Sequence, residues 1–287
     1  MLDALLDAGI DTLKLLPILY LTYLFMEYLE HRAGEKMNRR LERSRKAGPL
    51  VGAAFGILPQ CGFSGAAASL YASGTVTVGT LLAVFIATSD EMLPIFISAK
   101  MPALLILVIL AVKLIAGVLV GYTADLILSK RKTEERHIHD LCEHEHCHCE
   151  ENLFLSALKH TVKIALLVLI ATFLINAAFL LLPEEKISAV WNIPVAGVLL
   201  SALIGLIPNC SASILISNLY INGVTGLPVL FSGLMANAGV GLLVLTRVNK
   251  NKKENRLITA ALFLLSIVLG SLSGLAAEQL LPLIGVS

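Results

Sequence analysis

The sequence predicts an all-α protein that crosses a membrane several times. Of its 287 residues, 56% are hydrophobic and only 15% are charged, whereas soluble domains carry about 25% charged residues. Several apolar runs also exceed the roughly 18 residues that suggest a membrane-spanning helix. In addition, the segment GILPQCGFS (56–64) recurs in altered form as GLIPNCSAS (205–213). These three features predict a polytopic helical protein built from two similar halves.

Eight apolar segments are separated by polar connections. They lie at about 11–30, 49–73, 75–98, 102–128, 153–182, 193–221, 226–246 and 257–283. The connections at 31–47, 129–152 and 247–256 contain seven, four and five Lys and Arg residues. Because positively charged connections stay on the cytoplasmic side, we expect these three in the cytoplasm. Both termini are then expected outside the cytoplasm. The protein itself is expected in the inner membrane of a bacterium or an archaeon.

The first half cannot consist of full spans alone. With 31–47 and 129–152 on the same side, the three segments between them must make an even number of crossings. Segment 49–73 is interrupted at Pro59-Gln60-Cys61, and proline removes a backbone donor and disfavours helix in the residue before it. We therefore predict that 49–73 is a re-entrant hairpin of two half-helices.

The second half repeats this arrangement from the opposite side of the membrane. Segment 193–221 is interrupted at Pro208-Asn209-Cys210, and SLYASG (69–74) recurs as NLYING (218–223), again 149 residues later. Each half then has three spans and one hairpin, about ten helical pieces in all, and forms an inverted repeat of the kind found in secondary transporters. The predicted regions are a first transmembrane repeat, a cytoplasmic loop and a second transmembrane repeat, at 1–128, 129–152 and 153–287.

The two interrupted segments predict a binding site near the middle of the membrane. Irregular backbone at that depth is tolerated only inside protein or beside water, and broken helices of transporters bind substrate there. Amide oxygens and cysteine sulfur would be its ligands; alternatively, the amides cap broken helices and the cysteines pack as small apolar residues. The candidate ion-binding residues are Gln60, Cys61, Asp90, Glu91, Asn209, Cys210 and Asn237, with Ser64, Thr88, Ser89, Lys113 and Ser213 supporting them.

Asp90 and Glu91 lie in the middle of an apolar segment. An ionisable residue inside a span indicates a functional site, and a carboxylate pair can bind a cation or exchange protons. A structural ion pair or a water-facing cap is the alternative. The corresponding stretch of the second half holds Asn237 and Gly239 instead. Lys113 is expected to pair with one carboxylate, either as a fixed counter-charge that weakens cation binding or in a structural role.

The connection HIHDLCEHEHCHCEEN (137–152) contains five of the seven His and three of the five Cys residues. Imidazole and thiolate at this density suit Zn²⁺, Cu⁺, Ni²⁺ or Co²⁺. The spacing matches no zinc finger, so we predict a cytosolic metal sensor or delivery arm; a polar linker is the alternative. The candidate loop ligands are His137, His139, Cys142, His144, His146, Cys147, His148 and Cys149.

Other functional classes lack their sequence signatures. There is no GxxxxGK[ST] phosphate-binding loop and no HExxH zinc-protease helix, and the polar connections are too short for a catalytic domain. We therefore expect no enzyme, no nucleic-acid partner and no required cofactor. The expected partners are the lipid bilayer and a divalent or soft metal ion, which would be cargo and also a ligand of the loop; the sequence also allows a homodimer.

The paired motifs LPQC (58–61) and IPNC (207–210), the intramembrane TSDE (88–91) and the His/Cys-rich loop resemble a family of ten-helix heavy-metal exporters. These are bacterial permeases described as arsenic efflux proteins or as manganese transporters. The resemblance covers essentially the whole chain. It implies export of a toxic metal or metalloid across the inner membrane.

Three hypotheses follow. The first is an exporter of a divalent cation such as Mn²⁺ or Zn²⁺, driven by proton exchange or membrane potential, which requires Asp90 and Glu91. The second is a permease for trivalent arsenicals, in which Cys61 and Cys210 matter more than the acids. The third is a membrane metal sensor that binds metal through its loop and transports nothing.

Overall fold

The computed structural model describes residues 47–58, 62–89, 92–128 and 194–280, with isolated helical positions between residues 9 and 24 and between 154 and 173. These residues form helices and contain no strand, which confirms the all-α prediction. The helices are α1 (Gly48–Gly56), α2 (Gly62–Ala72), α3 (Val78–Ala87), α4 (Met92–Ser98), α5 (Ala103–Leu128), α6 (Pro194–Gly205), α7 (Cys210–Ile221), α8 (Leu227–Ala236), α9 (Gly241–Val248) and α10 (Lys252–Leu280).

Within the described residues, four helical stretches are long and apolar enough to cross a membrane: Val78–Ser98, Ala103–Leu128, Leu227–Val248 and Lys252–Ala277. They correspond to four of the predicted segments, although α10 begins before the predicted 257 and takes in basic residues at its start. The protein is thus an all-α polytopic membrane protein. The predicted spans 11–30 and 153–182 lie mostly outside the described residues.

The helices of the second half repeat the bounds of the first. Helices α6, α7 and α8 end 149 residues after α1, α2 and α3, respectively. Likewise, α8, α9 and α10 begin 149 residues after α3, α4 and α5. The packing repeats as well: α3 packs on α1 and α5, and α8 packs on α6 and α10. Between the halves, α2 packs on α9, α7 on α4 and α3 on α8.

Helix α1 runs parallel to α3. A Cβ atom placed on Gly48 would lie 2.3 Å from Thr80 Oγ1, and one on Gly56 would lie 2.7 Å from the carbonyl oxygen of Val84. The two helix backbones therefore approach each other closely along their whole length, and glycine at these positions makes that possible.

Helix α2 runs antiparallel to α3, so that α1 and α2 form a helical hairpin. A Cβ atom on Gly241 would lie 2.9 Å from Ser64 Cβ and 2.7 Å from Phe85 Cε1, which brings the start of α2 and the end of α3 to the same place. The turn from α2 to α3 contains Gly74 at φ 79°, and the corresponding turn contains Gly223 at φ 71°. Both glycines adopt the left-handed conformation that residues with a side chain rarely take.

The spans predicted at 75–98 and 226–246 each contain a non-helical stretch that the sequence analysis did not indicate. Helix α3 ends at Ala87, and Thr88 and Ser89 are not helical. The second span is non-helical at 237–240 between α8 and α9. There the Asn237 side-chain oxygen accepts a hydrogen bond from the Gly239 amide at 2.9 Å, and Gly239 has φ 52°. A side chain that bonds the local backbone competes with helical hydrogen bonding and so stabilises the break.

Candidate ion site at the helix breaks

Lys113 links the two breaks. Its side chain lies on α5 and is fully buried. The Nζ atom donates to the carbonyl oxygen of Thr88 at the end of α3 and, at 3.2 Å, to that of Leu234 in the last turn of α8. Carbonyl groups at helix C-termini carry partial negative charge and lack helical partners. One ammonium is therefore stabilised by helix ends from both halves of the molecule.

Thr88 and Ser89 hold the end of α3 in shape. The Thr88 hydroxyl donates to the Val84 carbonyl at 2.7 Å, and the Ser89 hydroxyl donates to the Ala87 carbonyl at 3.1 Å. Both side chains are buried. Both hydroxyl protons are donated within the break, and these hydrogen bonds orient the backbone that carries the Thr88 carbonyl.

The amide residues of the second half are also buried. Asn237 follows the end of α8 at the position that corresponds to Thr88 in the first half. Asn209 lies in extended conformation just before α7, and its Nδ2 donates to Ser211 Oγ at 3.1 Å. Asn209 and Asn237 are 1% and 2% exposed, which is compatible with ligands of an enclosed ion.

Both supporting serines are buried, Ser64 in α2 and Ser213 in α7. Ser64 in α2 lies beside Gly241 at the start of α9, so it is close to the break of the second span. Ser213 occupies the matching position in α7 and is 1% exposed. The structure therefore brings the first turn of α2 next to the start of α9.

Several predicted site residues lie outside the described residues. They are Gln60, Cys61, Asp90 and Glu91, the side chain of Cys210, and the loop residues His137, His139, Cys142, His144, His146, Cys147, His148 and Cys149. The predicted pairing of Lys113 with a carboxylate also involves residues outside the described part of the chain. In the described part of the chain, no group of three or more His, Cys, Asp or Glu residues is placed to hold a metal ion.

A carboxylate that was not among the candidate site residues fixes the start of α3. Asp125 Oδ2 accepts from Thr77 Oγ1 at 2.7 Å, and Asp125 Oδ1 accepts from the Gly79 amide at 2.9 Å. A carboxylate at a helix N-terminus satisfies free amide groups and interacts favourably with the helix dipole. Asp125 thereby ties the broken span to α5, the helix that carries Lys113.

Membrane-length helices that are broken in a buried core, with the Lys113 ammonium between their ends, are typical of polytopic membrane transporters. Residues 15–183 match the model of the family described as "Putative, 10TM heavy-metal exporter", and the chain belongs to this family. The resemblance inferred from its motifs is thereby confirmed, and a transporter family is not a class of enzyme. Comparison with curated proteins and with solved structures gave no match.

Proposed function

We propose that the protein exports a divalent metal cation such as Mn²⁺ or Zn²⁺ from the cytoplasm. The observation that supports this most strongly is the buried Lys113 ammonium, which is bound by carbonyl oxygens from both halves. Oxygen atoms that stabilise an ammonium also stabilise a metal cation, and oxygen ligands suit Mn²⁺ in particular.

The proposed cargo site combines Gln60, Cys61, Asp90, Glu91, Asn209, Cys210 and Asn237. Helix α3 ends at Ala87 and α4 begins at Met92, so Asp90 and Glu91 belong to the segment that joins them. Their negative charge would offset the cost of removing a divalent cation from water. We also propose that they exchange protons, so that H⁺ moves inward as the cation moves outward.

We propose that the halves form an inverted repeat with two re-entrant hairpins, α1–α2 and α6–α7. Helix α2 runs antiparallel to α3 but parallel to α9, because Ser64 lies beside Gly241 and the Tyr71 hydroxyl donates to Glu254. The second broken span then runs opposite to the first. Inverted repeats around a midplane site support alternating access.

The remaining features are proposed on the sequence. We propose an inner-membrane protein with both termini outside the cytoplasm and the loop 129–152 inside. In that arrangement the His/Cys-rich stretch would bind cytoplasmic metal before it reaches the cargo site, and would act as a metal sensor or as a donor of metal to that site. Deleting residues 137–149 should then change the apparent affinity for metal more than the maximal rate.

The proposal is tested by metal uptake into everted vesicles, measured by elemental analysis. Mn²⁺, Zn²⁺, Co²⁺, Ni²⁺, Cd²⁺ and arsenite would be offered to the wild type, to Glu91→Gln and to a Cys61→Ser/Cys210→Ser double variant. We expect uptake of a divalent cation that Glu91→Gln abolishes while the variant still folds. Asp125→Asn is the matched control, because it neutralises a carboxylate away from the breaks and should retain uptake.

Two outcomes would contradict the proposal. Arsenite uptake that is lost only in the cysteine variant would make the protein a metalloid permease with sulfur ligands. No uptake of any of these species, from vesicles that contain folded protein, would favour a metal sensor that does not transport.

A further inference from the structure

We propose that the Lys113 ammonium is an internal occupant of the cargo site. The carbonyl oxygens of Thr88 and Leu234, which bind it in this structure, would be cargo ligands, and Lys113 would leave them when a divalent cation binds. This inference rests on the proposed function. It adds two main-chain ligands to the site and names the group that competes with the cargo.

The contacts of Lys113 are those of a bound cation. Its ammonium is compact and donates hydrogen bonds from a single centre, and it lies fully buried between the helix ends. The oxygens of Thr88 and Leu234 come from different halves. Main-chain carbonyls are common ligands of oxygen-preferring metal ions. A metal cation that replaced the ammonium would find these two oxygens already oriented.

A purely structural role for Lys113 is poorly supported, because other contacts already hold α5 against α3. Asp125 binds the start of α3, and a Cβ atom on Gly117 would lie 2.8 Å from the Ala83 carbonyl oxygen. In the second half, the position that corresponds to Lys113 is Leu262, which is also fully buried. Helix α10 thus packs on α8 without any charge at this register.

An internal ammonium would affect both selectivity and release. A monovalent ion gains no more from the carbonyl oxygens than Lys113 does, whereas a divalent cation interacts about twice as strongly with each of them. An uncharged arsenical has no charge with which to displace the ammonium. When the cation leaves, Lys113 can return to Thr88 and Leu234, which lowers the affinity for cargo and accelerates its release.

The test compares three variants of the full-length protein. Lys113→Met removes the charge at similar volume, Lys113→Arg keeps the charge, and Leu262→Met is the matched control in the second half. We expect Lys113→Met to bind Mn²⁺ on the order of tenfold more tightly in calorimetry and to turn over more slowly in vesicles. Leu262→Met should bind Mn²⁺ as the wild type does, and Lys113→Arg, which keeps the positive charge, should not reproduce the tighter binding of Lys113→Met. Unchanged or weaker Mn²⁺ binding by a Lys113→Met protein that melts at the wild-type temperature would overturn the inference.

A second measurement does not depend on transport. Propylammonium supplies the atoms that Lys113→Ala lacks, so it should raise the melting temperature of this variant, leave that of the wild type unchanged, and compete with Mn²⁺ for binding. Stabilisation without competition would overturn the inference, since ammonium and cargo would then occupy different sites. Failure of the proposed function would be recognised separately, as absence of metal uptake by the wild type.

Discussion

The two halves share the order and spacing of their helices but differ in the chemistry of their breaks. Residues 88–91 of the first half read TSDE, and Lys113 binds the carbonyl of Thr88, whereas residues 237–240 of the second half read NAGV and the residue that corresponds to Lys113 is Leu262. Both breaks form, so the fold requires a non-helical stretch and not the charges. The break of the second half therefore forms without a carboxylate pair and without an ammonium at the matching helix position.

The same asymmetry recurs where each broken span meets its long helix. In the first half, the Asp125 carboxylate accepts hydrogen bonds from Thr77 and Gly79. In the second half, the corresponding residue is Gly274, and it packs directly against Pro228, the counterpart of Gly79. Proline has no amide hydrogen to satisfy, so no acceptor is needed there. One contact depends on hydrogen bonds and the other on close packing.

The largest effect is expected from filling the close contact. A Cβ atom on Gly274 would lie 2.3 Å from Pro228 Cα, and neither backbone can move without separating α10 from α8. Gly274→Val should lower the free energy of unfolding in detergent by about 3 kcal/mol. Ala276→Val, on the exposed side of the same turn, is the matched control and should change it little. A Gly274→Val protein as stable as the control would show that the contact is looser than described.

A smaller effect is expected at the equivalent position of the first half. Asp125→Ala removes the acceptor for the Thr77 hydroxyl and the Gly79 amide, and should lower the free energy of unfolding by about 2 kcal/mol. Asp125→Asn keeps one acceptor oxygen and should cost less. Chemical denaturation in detergent would measure both. If the two variants were equally unstable, the negative charge rather than the hydrogen bonds would be what holds α3.

The membrane segments and the family could be predicted from sequence because their signals are local. Apolar runs, basic connections and the repeated Pro-amide-Cys motif all lie within short stretches. The breaks at 88–89 and 237–240 were missed, although Gly239 and Asn237 are residues that interrupt helices. Residues of low helix propensity inside an apolar run were the signal that could have revealed them.

The role of Leu234 could not be predicted from sequence at all. It contributes a main-chain carbonyl, which every residue has, and only the end of α8 beside Lys113 makes that carbonyl a ligand. Asp125 was likewise missed because its partners, Thr77 and Gly79, lie 48 and 46 residues away in the chain. Contacts that depend on how helices pack leave no mark in the local pattern.

The smallest predicted effect concerns two tyrosines related by the repeat. The Tyr71 hydroxyl in α2 donates a hydrogen bond to Glu254 at the start of α10. Tyr220 in α7 instead stacks on Phe96, with ring centroids 5.9 Å apart. Tyr71→Phe should therefore lower the free energy of unfolding by about 1 kcal/mol, the usual value of one hydrogen bond. The measurement is denaturation in detergent of Tyr71→Phe, Glu254→Gln and the double variant.

The double variant decides whether Tyr71 and Glu254 act as a pair. If they do, its loss of stability will be smaller than the sum of the two single losses, because each single change already breaks the same hydrogen bond. Phe96→Leu is the control at a different contact between the halves, and its effect should add to that of Tyr71→Phe. Strict additivity of Tyr71→Phe and Glu254→Gln would mean that the hydrogen bond contributes nothing. The two halves would then be held together at this point by packing of α2 on α9 alone.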